Sequence, residues 1–231
     1  MSTQHKDYIN GIPNAERRYA THGLSVQKRA ADPADEPNEK EIIIRGYAAL
    51  FNVEADLGYA KEIIMPGAFD ECLANDVRCL FNHDPNIILG RGNNKPTAFG
   101  KGQTLRYGVD SVGLWYEVVL DTSIPTHYTL SEAINRNDIN QSSFAFLVKE
   151  QSWVQTEQGQ PNIRKILKFK ELLDVSPVTY PAYEDTTIGM RSLTNYQTEI
   201  NNNDAQEKMQ QMQRTLQQVN ITTSNLMLGV V

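Results

Sequence analysis

Four polar residues at three places in the chain stand out because they border or interrupt apolar runs. His83, one of four histidines in the 231-residue chain, follows an apolar pair in "LFNHDPNIILGRG" (80–92), between Asn82 and Asp84. Ser142 and Ser143 open the apolar run "SSFAFLVKE" (142–150), and Asp174 lies between Leu173 and Val175 in "ELLDVSPVTYPA". A carboxylate in an apolar run costs several kcal/mol to bury unless it is paired or hydrogen-bonded, and an imidazole N–H is a suitable partner. Serine, imidazole and carboxylate together are what nucleophilic acyl transfer requires. The imidazole takes the serine proton, and the acid fixes its tautomer and stabilises the imidazolium. The chain order His, Ser, Asp does not discriminate, because unrelated folds reach this geometry in different orders. Taken singly, His83 also fits a metal ligand or a turn residue, and serine is common at strand boundaries. These residues alone leave the choice between Ser142 and Ser143 open.

Composition narrows the alternatives. A net charge of −6 argues against a general nucleic-acid-binding surface, which needs clustered Lys and Arg, and points to protein or peptide partners. With 40% hydrophobic and 22% charged residues, and no run of about 18 apolar residues, the chain reads as a globular, intracellular protein without a membrane span. "MSTQHKDYINGIPNAERR" has no apolar core of a secretory signal. Cys72 and Cys79 are seven apart, which is no metal-ligand spacing, and read as core thiols. No HExxH occurs, and His5 and His22 lie in the N-terminal region, so neither a metal nor another cofactor is expected. The absence of GxSxG argues against an α/β-hydrolase.

The elements that must carry these residues are mostly strands. Residues 1–14 are polar and read as disordered, 15–29 have weak strand character, and "AADPADEPNEKE" (30–41) reads as an exposed loop. "IIIRGYAALFN" (42–52) suits a buried strand interrupted by Gly46. "EIIMPGAFDECLAND" (62–76) predicts a short strand, a Pro66-Gly67 turn and a helix burying Phe69, Cys72 and Leu73. "VRCLFNHD" delivers His83 to a strand end, and "GLWYEVVLD" (113–121) alternates Leu114, Tyr116, Val118 and Leu120 on one face. A helix is predicted over 129–136 with Leu130, Ala133 and Ile134 inward and Asn137 as its left-handed terminator. Two or three more strands follow over 142–150 and 163–182, ending at Pro177 and Pro181. Beyond residue 192 the chain turns Asn- and Gln-rich, and "DAQEKMQQMQRTLQQV" (204–219) predicts a helix with Met209, Met212, Leu216 and Val219 along one seam.

The ordered motifs "IRGYAALFN", "EIIMPGAFDECL", "LFNHDPNIILGR", "GLWYEVVLD", "INQSSFAF" and "ELLDVSPVTYPAY" resemble the prohead (capsid maturation) serine proteases of tailed bacteriophages, whose core is similar to the herpesvirus assemblin fold. The resemblance covers roughly residues 15–190. It implies an α+β, mainly β fold: an assemblin-like β-barrel core with inserted and surrounding helices. The domain organisation is then a disordered extension (1–14), the protease domain (15–190) and a tail with a short amphipathic helix (191–231).

Carried over by motif, the family histidine falls on His83, the nucleophile on Ser143 with Ser142 as the alternative, and the acid on Asp174 with Glu171 as the alternative. Ala145 stands where the family motif usually has glycine, and Asp174 is one methylene shorter than the usual Glu, a difference to be absorbed by the backbone or a water. The candidate oxyanion donors are a backbone N–H and Arg91 of "LGRG". Since assemblins use a second histidine, His127 is a further candidate, although its position matches no motif of the family. The resemblance further implies a serine endopeptidase acting in the host cytoplasm, inside the prohead. Its substrates would be the scaffold or the scaffolding segment of the major capsid protein, and itself; it would work as a homodimer or higher oligomer. The competing readings are a non-enzymatic assembly protein of the same fold, which would have lost Ser143 or His83, and an esterase of small substrates.

Overall fold

The computed structural model describes residues 8–9, 12–20, 24–28, 41–93, 99, 102–157, 160–180, 193–200, 202–203, 206–211 and 214. Two compact units divide the chain, Met1–Ile188 and Gly189–Val231. The first begins with β1 (Tyr8–Ile9) and β2 (Ile12–Pro13), which pair antiparallel within the stretch expected to be disordered. There follow β3 (Glu16–Ala20), β4 (Ser25–Lys28), β5 (Glu41–Leu50), β6 (Glu54–Asp56), β7 (Lys61–Ile64), β8 (Asp76–Phe81) and β9 (Asp84–Asn93). β10 (Leu105–Val109), β11 (Gly113–Asp121), α1 (Pro125–Asn135), β12 (Gln141–Val154) and β13 (Ile163–Val178) complete it. The fold is α+β and mainly β.

Two sheets hold most of these strands. One runs β10-β11-β5-β4, and the other β3-β12-β13-β7-β6 with β8 and β9 joined to it through β13. The organising element is β13. Along one edge it pairs antiparallel with β12; along the other it takes β7 in parallel at Ile163–Ile166 and then β8 in parallel at Asp174 and Val175. Between the sheets Phe69, Phe144, Phe146 and Phe169 pack ring against ring, with Phe69 and Phe169 centroids 4.4 Å apart. The alternating residues Leu114, Tyr116, Val118 and Leu120 of β11 are all fully buried, as the period-2 pattern predicts.

Among the described residues no closed barrel forms. Four register shifts bend β12 along its pairing with β13. The edge strand β3 meets β7 through side chains, Arg18 to Glu62, and not through a backbone ladder. β9 and β10 likewise approach without pairing. A Cβ on Gly92 would lie 2.0 Å from the Leu105 carbonyl oxygen, so only glycine permits the approach.

Other elements differ from the sequence reading in instructive ways. Gly46 does not interrupt β5; it lets the strand lie against its neighbours, since a Cβ there would come within 2.8 Å of Leu24. Over residues 66–75 the expected helix is a series of tighter turns. The N–H groups of Ala68, Asp70, Cys72 and Asn75 bond the carbonyls three residues back. Phe69 and Cys72 are buried all the same, because a three-residue spacing serves both geometries. α1 begins four residues earlier than read, with Pro125 in its first turn, where the missing N–H costs nothing. It ends as predicted: Asn137 has φ 63°, its N–H bonds Ile134 and the Asp138 N–H bonds Ala133, a Schellman terminator. Pro177 does not end a strand, since β13 runs as one element through it to Val178.

The loop expected over 30–41 lies outside the described residues except Glu41, which opens β5. In the second unit, residues 193–200 and 206–211 are helical and Met209 is exposed; Met212, Leu216 and Val219 lie outside the described residues.

Candidate active site

Strand alternation puts the two serines on opposite faces of β12. On β12, Ser142, Phe144 and Phe146 share a face; the phenylalanines enter the aromatic core and the Ser142 hydroxyl shares a 2.8 Å hydrogen bond with the Tyr116 phenol. Burial pushes that phenol well above its ordinary range. Ser143 and Ala145 point to the opposite face, where Ala145 packs with Ala15, Ile12, Leu147 and Leu173 in a small second cluster. Ser143 is cross-strand from Ser176 on β13 and from Tyr19 on β3, so a sheet neighbour on each side holds its backbone.

His83 reaches this face from a hairpin turn. Asn82 and His83 join Phe81 to its partner Asp84, and both have positive φ, 53° and 58°. This is the signature of the tight turn that suits twisted antiparallel strands. A non-glycine residue in the left-handed region is uncommon, and two in succession need support from their surroundings. Asn82 supplies it: its N–H bonds the Pro177 carbonyl at 3.0 Å, its side-chain oxygen accepts the Thr179 N–H at 2.8 Å, and its amide donates to the Thr179 hydroxyl. The turn is thereby fastened to the end of β13, the strand that carries Asp174.

The result is a continuous chain of polar atoms. His83 Nδ1 lies 2.6 Å from Asp174 Oδ1 and His83 Nε2 lies 2.6 Å from Ser143 Oγ. With the carboxylate accepting, Nδ1 carries the proton and Nε2 is free to accept the serine hydroxyl. That hydroxyl has a second acceptor, the Arg18 carbonyl at 2.8 Å. Asp174 reaches the imidazole directly, without an intervening water, and a bulge at Leu173 immediately precedes it, the kind of irregularity that re-aims a side chain. Asp174 Oδ1 also accepts the Ser176 hydroxyl at 3.0 Å. All of these groups are nearly inaccessible, with His83 at 4%, Asp174 at 2% and Ser143 at 1% exposure. Beside Asp174 a recess of about 370 Å³ is lined by Arg78, Leu80, Pro85, Ile88 and Leu173 among others.

The strand β3 is fixed beside Ser143 by a buried ionic cluster that the sequence reading missed. Arg18 and Arg164 make six hydrogen bonds to Glu16 and Glu62, at 2.6–3.0 Å. Burial alone would raise the Glu16 carboxyl, but the bonds and charges of Arg164 and Arg18 outweigh it and hold it below its ordinary value. Two charges of each sign balance, and Arg164 also donates to Gln151. The only sequence signal was alternation: charged residues at the inward positions of a short strand, Glu16 and Arg18, must find charged partners.

Three further residues singled out by sequence are not brought to this centre. Arg91 is exposed, cross-strand from Arg78 on the hairpin, and its guanidinium is held by both oxygens of Asp76 at 2.9 and 2.8 Å. Glu171 is exposed, and Asp174 occupies the place beside His83. His127 lies in α1, where Nδ1 accepts the Asp121 N–H.

Sequence comparison places the chain in a family. The chain matches the family model of caudovirus prohead serine proteases over residues 27–201, three quarters of its length. It belongs to that family. No curated protein and no solved structure gives a match to the chain. As a prohead serine protease it is a serine endopeptidase of capsid maturation, associates with capsid proteins, and acts in the phage prohead within the host cell. The strand β3, whose Arg18 carbonyl touches the Ser143 hydroxyl, precedes the matched region.

Proposed function

We propose that Ser143 is the nucleophile, His83 the general base and acid, and Asp174 the orienting carboxylate of this endopeptidase. The observation that carries the reading is the unbroken series Ser143 Oγ, His83 Nε2, His83 Nδ1 and Asp174 Oδ1, with both gaps 2.6 Å. The Ser143 hydroxyl leaves the Arg18 carbonyl and donates fully to Nε2, while Oγ bonds to the carbon of the scissile carbonyl. The imidazolium, held by Asp174, gives the Nε2 proton to the departing amine, leaving an acyl-enzyme. The same nitrogen then takes a proton from water, whose oxygen bonds to the acyl carbon. It returns that proton to Oγ as the bond from Oγ to the carbon breaks, which regenerates Ser143 and releases the second product as a carboxylic acid that ionises in solvent. The recess beside Asp174, whose apolar wall of Leu80, Pro85, Ile88 and Leu173 is flanked by Asp76, Arg78 and Glu171, is a seat for a substrate side chain.

The substrates in this reading are the scaffold or the scaffolding segment of the major capsid protein, and the protease's own flanking segments, cut inside the assembled precursor shell. The Gln-rich residues 191–231 bind scaffold and carry the enzyme into that shell, where copies work as a dimer or larger assembly. Kinship with the herpesvirus assemblins is part of this proposal. It is supported by a mainly β body with the serine on a central strand, and qualified by the open sheets.

A fluorophosphonate probe tests the assignment without a known substrate. Peptide mapping of the labelled protein places the adduct on Ser143, and His83→Ala abolishes labelling. An adduct on Ser142, or labelling indifferent to His83, contradicts it.

A further inference from the structure

Ser176 has no part in the scheme above, yet it lies at its centre. It is two residues from Asp174 on β13, so both side chains leave the same face of the strand, and it is directly cross-strand from Ser143. It is wholly buried. Its Oγ is 3.0 Å from Asp174 Oδ1 and 3.3 Å from His83 Nδ1. Because Nδ1 carries the proton that Asp174 accepts, the Ser176 hydroxyl donates to the carboxylate as well. One oxygen, Oδ1, thus receives both donors, and the three atoms form a closed triangle.

We infer that Ser176 is a positioning residue of the catalytic centre, holding the Asp174 carboxylate in the rotamer that meets His83. The inference rests on the roles given above to Ser143, His83 and Asp174. The physical need is specific to a short acid. A buried carboxylate with one donor is free to rotate about its last bond, and a displacement of about 1 Å in a reacting array costs on the order of a hundredfold in rate. A second donor from the same strand removes that freedom without adding charge. The Ser176 hydroxyl lies off the path from Ser143 through His83 to Asp174, so its loss acts through the His83–Asp174 pair it touches.

The test compares wild type, Ser176→Ala and Ser143→Ala on purified cognate major capsid protein, with the low-field proton resonance of the His83–Asp174 hydrogen bond recorded for each. Ser176→Ala is expected to lower kcat about tenfold, the usual scale for one hydrogen bond to a charged group, with KM within about twofold. The low-field resonance should shift or broaden while the melting temperature stays near that of wild type. Unchanged kcat overturns the inference, as does a fall in kcat with an unmoved resonance or with a parallel rise in KM. Should the alanine chain not fold, Ser176→Thr takes its place: retained kcat supports the role of the hydroxyl, and a tenfold loss overturns it. The control separates the two levels. If Ser143→Ala still cleaves, the protease assignment of the site fails; if Ser143→Ala is dead and Ser176→Ala is normal, only the role of Ser176 fails.

Discussion

Replacing Arg164 by Met tests whether the ionic cluster fixes the strand beside Ser143. Arg164 is 1% exposed, and its guanidinium binds both oxygens of Glu16 and one of Glu62. The substitution keeps most of the side-chain volume and removes one positive charge, leaving two buried carboxylates to share Arg18. Breaking a buried ion pair by removing one partner costs about 3–5 kcal/mol, a large share of the 5–15 kcal/mol typical of a whole domain. For a unit of this size each kcal/mol lowers the melting temperature by about 2–4 °C, so a fall of about 6–20 °C is expected. Adding Glu16→Gln restores charge balance, and the double variant should recover about 1–3 kcal/mol relative to the sum of the single changes. Thermal melts by near-UV circular dichroism give the energies, and hydrogen exchange gives the location. The amides of Glu16–Ala20 should lose protection before those of β13. A cost below about 1 kcal/mol, with β3 amides still protected, would show that solvent already shares the cluster and refute the reasoning.

The cluster also sets an acid limit. The folded Glu16 carboxyl lies below its ordinary 4.5, so its stabilising contribution is complete above that value and is lost as pH falls through the lower folded value. Protection of the β3 amides should therefore hold through mildly acid pH and fail only well below pH 4.5, whereas collapse already near pH 6 would contradict the assignment. The cysteines should be silent in the native protein. Burial pushes the Cys72 thiol up to about 11 and Cys79 well above its ordinary range, so Ellman's reagent at pH 8 should find neither thiol until denaturant exposes both. The two carboxylates considered for the acid are separable as well. Asp174→Asn should reduce kcat for capsid-protein cleavage by about 10³–10⁴-fold, while Glu171→Gln, exposed in the lining of the recess with Asp174 in the place beside His83, should leave kcat within about twofold whatever it does to KM. The reverse ranking would move the acid to Glu171.

The three residues that meet in the structure are those whose setting is anomalous in the sequence. A histidine at a strand end, serines at a strand start and a carboxylate within an apolar run each break the local pattern, and breaks of this kind concentrate at functional sites. The strand β11 was legible because its alternation is strong, and β5 and β12 because their runs are rich in branched, aromatic and other apolar residues; residues 66–75 were misread because tight turns and helices share a three-residue spacing. What could not be read is tertiary. The Arg18 contact to Ser143 is made by a backbone carbonyl, which leaves no trace in residue type. The left-handed turn that aims His83 uses Asn and His where glycine would have announced it, and depends on Asn82 reaching Thr179 nearly a hundred residues away. Arg91 looked available because its partner Asp76, fifteen positions earlier, becomes its neighbour only when β8 and β9 pair. Ser176 carried a weak signal, an Asp-x-Ser on one strand, which puts both side chains on one face without saying what else that face holds.

Co-expression of the chain with its cognate major capsid protein, wild type beside Ser143→Ala, followed by intact mass of both proteins, tests the central claim most directly. With Ser143 as nucleophile, the wild type yields discrete shortened products whose masses fix the cut sites, and the alanine variant, equally folded, yields none. The same shortened products from both chains would contradict the assignment of Ser143.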